Sequence, residues 1–130
     1  MKILNMSQGA VLGLHAVMCL SKSDGQPVTT QEAAELLKVS PAHLSKIFQR
    51  LGKAGLVKAL RGPSGGYLLQ KAPSAIRLRD VFEALEGPFP MNRCLLSRPR
   101  CAWDKCMLGT MLQDVHQIVA RQFEKRLSDL

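Results

Sequence analysis

The sequence predicts a mainly α protein with one small β-hairpin: a winged helix-turn-helix followed by a long C-terminal dimerisation helix. Three observations lead there. Two short helical patterns flank a tight turn at Lys38-Val39-Ser40, a Gly-rich hairpin follows them directly, and a net charge of +8 is concentrated in one contiguous segment. A length of 130 residues fits one compact unit, read as a DNA-binding part over 1–88 and a cysteine loop with dimerisation helix over 89–130.

Hydrophobic residues make up 46% of the chain, enough for a sizeable core. The longest apolar run, Ala10 to Leu20, is interrupted by Gly13 and His15 and is too short to cross a bilayer. No small-residue cleavage site follows an apolar core at the start. The expectation is a cytoplasmic protein without a membrane partner, in which thiols stay reduced and clustered cysteines bind metal or sense redox state.

From Ser7 to Ser21 the residues Ala10, Leu14, Val17 and Met18 fall at helical spacing, and Asp24-Gly25 ends the pattern. Val11, His15 and Cys19 share one face of this helix. Thr29 and Glu32 stand at capping-box spacing, so a second helix starts there and runs to about Leu37 on Ala33, Leu36 and Leu37. Ser40 caps the third helix and Pro41 opens it, with Leu44, Ile47, Phe48 and Leu51 as its apolar stripe up to Gly55. Leu56–Leu60 and Tyr67–Gln70 read as two strands joined by Arg61-Gly62-Pro63-Ser64-Gly65-Gly66. Glycines at such a tip allow close approach to a phosphate backbone. Ile76 to Leu85 gives a short extended piece and a helix on Val81, Phe82 and Leu85, closed by Gly87-Pro88. Beyond Cys106, the residues Leu108, Met111, Leu112, Val115, Ile118, Val119, Gln122, Phe123 and Leu127 trace a helical seam of roughly twenty residues, suited to pairing with its own copy.

The charge points to a polyanion. Between Pro41 and Arg79 lie Lys46, Arg50, Lys53, Lys58, Arg61, Lys71, Arg77 and Arg79, with no Asp or Glu, while the ten remaining basic residues are balanced by the ten acidic ones. Such a segment is the expected footprint of double-stranded DNA. The contact set falls on Thr29, on Ser40, Ala42, His43, Ser45, Lys46, Gln49, Arg50 and Lys53, and on Arg61, Gly62, Ser64 and Gly65 of the wing. Arg61 is placed to enter a narrow minor groove.

Three of the four cysteines, Cys94, Cys101 and Cys106, lie on one Pro-broken stretch. Thiols so clustered point to soft-metal or iron-sulfur chemistry. Structural zinc and a thiol-disulfide switch fit the same residues. An enzyme does not: there is no Cys-x-x-Cys pair, and no His-acid constellation accompanies His43 or His116.

Three stretches carry a resemblance: 51–57 (LGKAGLV), 61–67 (RGPSGGY) and 78–88 (LRDVFEALEGP). Through them the chain resembles the Rrf-two family of bacterial winged-helix transcriptional regulators nearly end to end. The resemblance implies a homodimer on an imperfect palindrome, with the Pro41 helix in the major groove and Arg61 in the minor groove. It also implies that Cys94, Cys101 and Cys106 hold an iron-sulfur cluster, 2Fe-2S or 4Fe-4S, that senses redox state, iron or nitric oxide. Here the cysteines are separated by six and four residues, where five and five is the commoner family spacing. Gly109 stands where one branch has a ligating His, and Val11 where other branches have an acidic ligand. His15 matches the first-helix His of a further branch and becomes the candidate fourth ligand, with Cys19 one turn away.

Overall fold

The computed structural model describes residues 6–89, 94 and 106–130. Helix α1 (Gln8–Ser21) starts where the Ser7 hydroxyl accepts a hydrogen bond from the Ala10 N–H at 3.1 Å. It stops before Asp24 and Gly25, which take φ of 52° and 78°, outside the helical region. Its inward arc is Leu12, Gly13, Ala16, Val17 and Leu20. Leu14 and Met18, expected inside, are half-buried flanks of that arc.

Helix α2 (Thr30–Leu37) opens on the expected capping box: Glu32 N–H donates to the Thr29 hydroxyl at 3.0 Å, and Thr29 N–H donates to the Glu32 carboxylate at 3.1 Å. Leu36 corrects the expectation, being 71% exposed. The small Ala33 and Ala34 let α2 approach its neighbour closely with Leu37 beside them, and Leu36 falls outside that arc. Lys38 adopts a left-handed conformation and turns the chain into α3 (Pro41–Lys53), capped by the Ser40 hydroxyl, which accepts from His43 N–H. Leu44, Ile47, Phe48 and Leu51 are all buried at the centre of the core.

Strands β1 (Val57–Leu60) and β2 (Gly66–Leu69) form an antiparallel hairpin with Val57 opposite Leu69 and Leu60 opposite Gly66. A bridge from Val28 to Tyr67 stitches the start of α2 to this hairpin. The Tyr67 ring stacks on Phe48 at 4.4 Å, fixing the hairpin to α3. This arrangement of α2, α3 and hairpin is a winged helix-turn-helix.

Helix α4 (Leu78–Glu86) packs against α1, where Gly13 leaves room for the Leu85 side chain; a Cβ at Gly13 would sit 2.1 Å from Leu85 Cδ1. Helix α5 (Gly109–Phe123) is the long C-terminal helix, fifteen residues rather than roughly twenty. The chain leaves it at Glu124 so that Leu127 can enter the core, where it is 1% exposed. Leu127 N–H donates to the Ile76 carbonyl at 2.9 Å and Leu78 N–H to the Lys125 carbonyl at 3.0 Å. Leu127 therefore belongs to the core and not to the α5 seam. The gain from burying its side chain outweighs the last helical turn.

Candidate nucleic-acid interface and cysteine site

Burial of one stripe of α3 determines what its other side presents. With Leu44, Ile47, Phe48 and Leu51 inward, Ala42, Lys46, Gln49 and Lys53 fall on one outward face and are exposed, with half-buried Ser45 at its edge. His43 and Arg50 lie on the opposite flank, between this face and the buried stripe. Thr29 and Ser40 spend their hydroxyl acceptors on helix caps.

In the hairpin, Arg61, Gly62 and Ser64 are exposed. The glycines have structural reasons of their own. A Cβ on Gly65 would lie 2.4 Å from the Leu60 carbonyl oxygen, and one on Gly66, at φ 149°, would lie 2.7 Å from the Val28 carbonyl carbon. Gly62, at φ 108°, faces open space. Close approach at Gly65 thus serves the hairpin's own backbone and that at Gly66 the bridge to Val28, and Gly62 is the glycine whose open side faces outward.

Two of the eight cations of the basic segment are paired with acids, some just beyond the segment and one far along the chain. Arg77 pairs with Asp80 at 3.0 Å and Glu124 at 2.8 Å, and Arg79 pairs with Glu83 at 2.9 Å and Glu124 at 3.2 Å. Both arginines join α4 to the end of α5, because Glu124, distant in sequence, returns beside them. Their guanidinium pKa values are pushed up, that of Arg77 by the Asp80 hydrogen bond first and then Glu124. Arg79 and Arg77 hold the Glu124 carboxyl below its usual range. Burial pushes Asp80 up, but the side-chain and backbone hydrogen bonds and the charge of Arg77 bring it below its usual value. The same junction is also held by aromatic rings: Phe89, just past α4, packs on Phe82 at 5.1 Å and on Phe123 at 5.0 Å. The Arg77–Asp80 and Arg79–Glu83 pairs stand at helical spacing, whereas the ties to Glu124 and among the rings of Phe82, Phe89 and Phe123 were not signalled by periodicity.

The cysteine stretch enters from Phe89. Cys94 is half-buried and Cys106 exposed, both free thiols; Cys101 lies outside the described residues. Gly109 opens α5 with its N–H donating to the Cys106 carbonyl at 3.1 Å. On α1, His15 is exposed and its Nδ1 lies 2.7 Å from the Val11 carbonyl oxygen. This contact assigns the ring N–H to Nδ1 and leaves Nε2 as the outward acceptor. Cys19, one turn on, is half-buried, and burial pushes its thiol pKa up, its own backbone hydrogen bond countering in part. Among the described residues, no three His, Cys, Asp or Glu side chains come together as a metal-binding group. No helix among them is long and apolar enough to cross a membrane.

A family model described as Rrf2, iron-dependent transcriptional regulator, matches residues 6–130. The HTH-type transcriptional regulator IscR of Yersinia enterocolitica is 32% identical over 120 residues, covering 92% of this chain and 72% of that protein. IscR of Escherichia coli is 34% identical over 93 residues, covering 72% of this chain but only 57% of its own length. Among solved structures, CymR, described as the global cysteine regulator of B. subtilis, aligns with a TM-score of 0.75 at 27% identity, covering 97% of this chain and 95% of that one. T. potens IscR aligns with a TM-score of 0.74 at 26% identity, covering 97% and 85%.

Proposed function

The chain belongs to the Rrf2 family of transcriptional regulators, and we propose that it acts as a homodimer on an imperfect DNA palindrome, controlled by an iron-sulfur cluster on its cysteine loop. It is a DNA-binding regulator and not an enzyme. The observation that carries the DNA-docking reading is the outward face of α3, with Lys46, Gln49 and Lys53 exposed together and Arg61 exposed on the adjoining hairpin. In this reading α3 lies in the major groove, where Ser45, Lys46 and Gln49 meet base edges, and Arg61 enters the minor groove. Residues 1–88 form the DNA-binding part and 89–130 the sensing and dimerising part.

The dimer reading is supported by the apolar side chains left uncovered just before and along α5. Met107 is 90% exposed and Ile118 54%, with Leu108 and Met111 also exposed. A second copy of the same helix covers such a seam.

The cluster reading is supported by donor chemistry. Cys94, Cys101 and Cys106 offer soft anionic sulfur, and His15 offers an outward Nε2 whose tautomer is set by Val11. Gly109 has no side chain to serve as the fourth ligand. In this reading His15, from the same chain or donated across the dimer, completes the set. A bound cluster, 2Fe-2S or 4Fe-4S, supplies one-electron chemistry, and a histidine ligand makes one corner protonatable. The chain's own part is to hold that corner at α1, beside the DNA-reading helices.

Anaerobic purification with iron and sulfide quantification tests this. Brown protein with visible absorption, lost or altered in His15→Ala, is expected. A colourless protein carrying near-stoichiometric zinc overturns the iron-sulfur reading, and a metal-free protein whose DNA binding follows thiol oxidation assigns the switch to the cysteines alone.

A further inference from the structure

Arg50 does not stand on the outward face of α3. Its guanidinium donates a hydrogen bond to the Leu85 carbonyl in the last turn of α4. A carbonyl there lacks its usual helical donor four residues on, because Phe89 N–H is directed to the Glu83 carboxylate at 3.4 Å. A cation at a helix C-terminus also meets the negative end of the helix dipole. The same turn is held from α1, by Leu85 against Gly13 and by the Ser7 hydroxyl donating to Glu86. Immediately beyond it Gly87, at φ 82°, ends the helix.

We propose that Arg50 is a positioning residue that couples the recognition helix α3 to the end of α4, instead of gripping a DNA phosphate. This rests on the DNA-binding reading above. The chemistry favours it on two counts. Arg50 is an exposed residue on the flank of α3 while Lys46 and Lys53 face outward, and its Nη2 is engaged by a carbonyl that has no other helical partner. Movement of the last turn of α4 therefore moves the base of α3 with it, and docking of α3 on DNA restrains that turn in return.

The test compares wild-type, Arg50→Met and Arg50→Lys chains on a mixed-sequence duplex of about 30 base pairs, roughly three helical turns. Affinity is measured across a salt series, and amide hydrogen exchange is followed at Gly87 with and without duplex. The expected result is a salt slope in Arg50→Met equal to wild type. Duplex slows Gly87 exchange by about fivefold or more in wild type, the low end of coupling between sites. That response is lost in Arg50→Met and restored in Arg50→Lys, which keeps a donor. A salt slope lowered by about 0.9 in Arg50→Met, the value of one neutralised phosphate, with the Gly87 response intact, overturns the proposal and makes Arg50 a phosphate ligand. Wild-type binding without any Gly87 response overturns the coupling alone, whereas a wild-type chain that binds no duplex overturns the DNA-binding reading as well.

Discussion

The Arg77 guanidinium lies 2.8 Å from the Glu124 carboxylate, joining the first turn of α4 to the residue that ends α5. Asp80, Arg79 and Glu83 extend the contact into a clasp, and the backbone bridge between Arg77 and Arg126 runs beneath it. The clasp fixes the end of α5 against the start of α4.

That clasp is expected to open in acid. Glu124 and Asp80 have carboxyl pKa values held below their ordinary 4.5 and 3.8, so the contribution to stability is complete above those values and is lost as pH falls through the lowered folded values. Amide exchange at Leu78 and Leu127, taken relative to the intrinsic rate at each pH, should accelerate below about pH 4 more than at Leu44, and Glu124→Gln should flatten that difference. Equal acceleration at all three amides in the wild type counts against the clasp.

Leu127→Ala removes a side chain that is 1% exposed from a site beside Ile76. The expected cost is about 2–5 kcal/mol in urea unfolding, as for other core truncations. A loss below roughly 0.5 kcal/mol, the range of neutral surface changes, would place Leu127 outside the core.

Gly65→Ala brings a methyl group to 2.4 Å from the Leu60 carbonyl oxygen, a backbone atom that cannot swing aside. The hairpin should loosen at a cost of about 1–3 kcal/mol, with helical circular dichroism retained and duplex affinity reduced. Unchanged wing protection in hydrogen exchange would show that the tip adapts.

Replacing exposed Lys53 or Lys58 by Gln should weaken binding to every duplex and lower the salt slope by about 0.9 for each phosphate that is no longer neutralised. Substitution of Ser45 or Lys46 should instead change base preference, by about 1–3 kcal/mol where a good base contact is involved. Arg77→Gln, whose charge is already met by Asp80 and Glu124, should leave the slope unchanged. A slope reduced by Arg77→Gln as much as by Lys53→Gln would mean that the clasp opens on DNA.

The local signals were legible in the chain itself. Thr29 and Glu32, Ser40 and Pro41, and the Leu44–Ile47–Phe48–Leu51 stripe each act within a few residues, so their helix starts and buried face could be read from spacing and capping chemistry. The Gly-rich hairpin and the presence of α5 were readable for the same reason. Tertiary structure decided what depends on residues far apart. It turned Leu36 outward because Ala33 and Ala34 made the closer contact, ended α5 at Phe123 so that Leu127 could be buried, and matched Arg77 and Arg79 with a carboxylate more than forty positions away. It also placed Arg50 against Leu85, a contact invisible to periodicity because charge in a sequence has a position but no direction. A side chain's partner is chosen by packing, and packing is settled only when the elements meet.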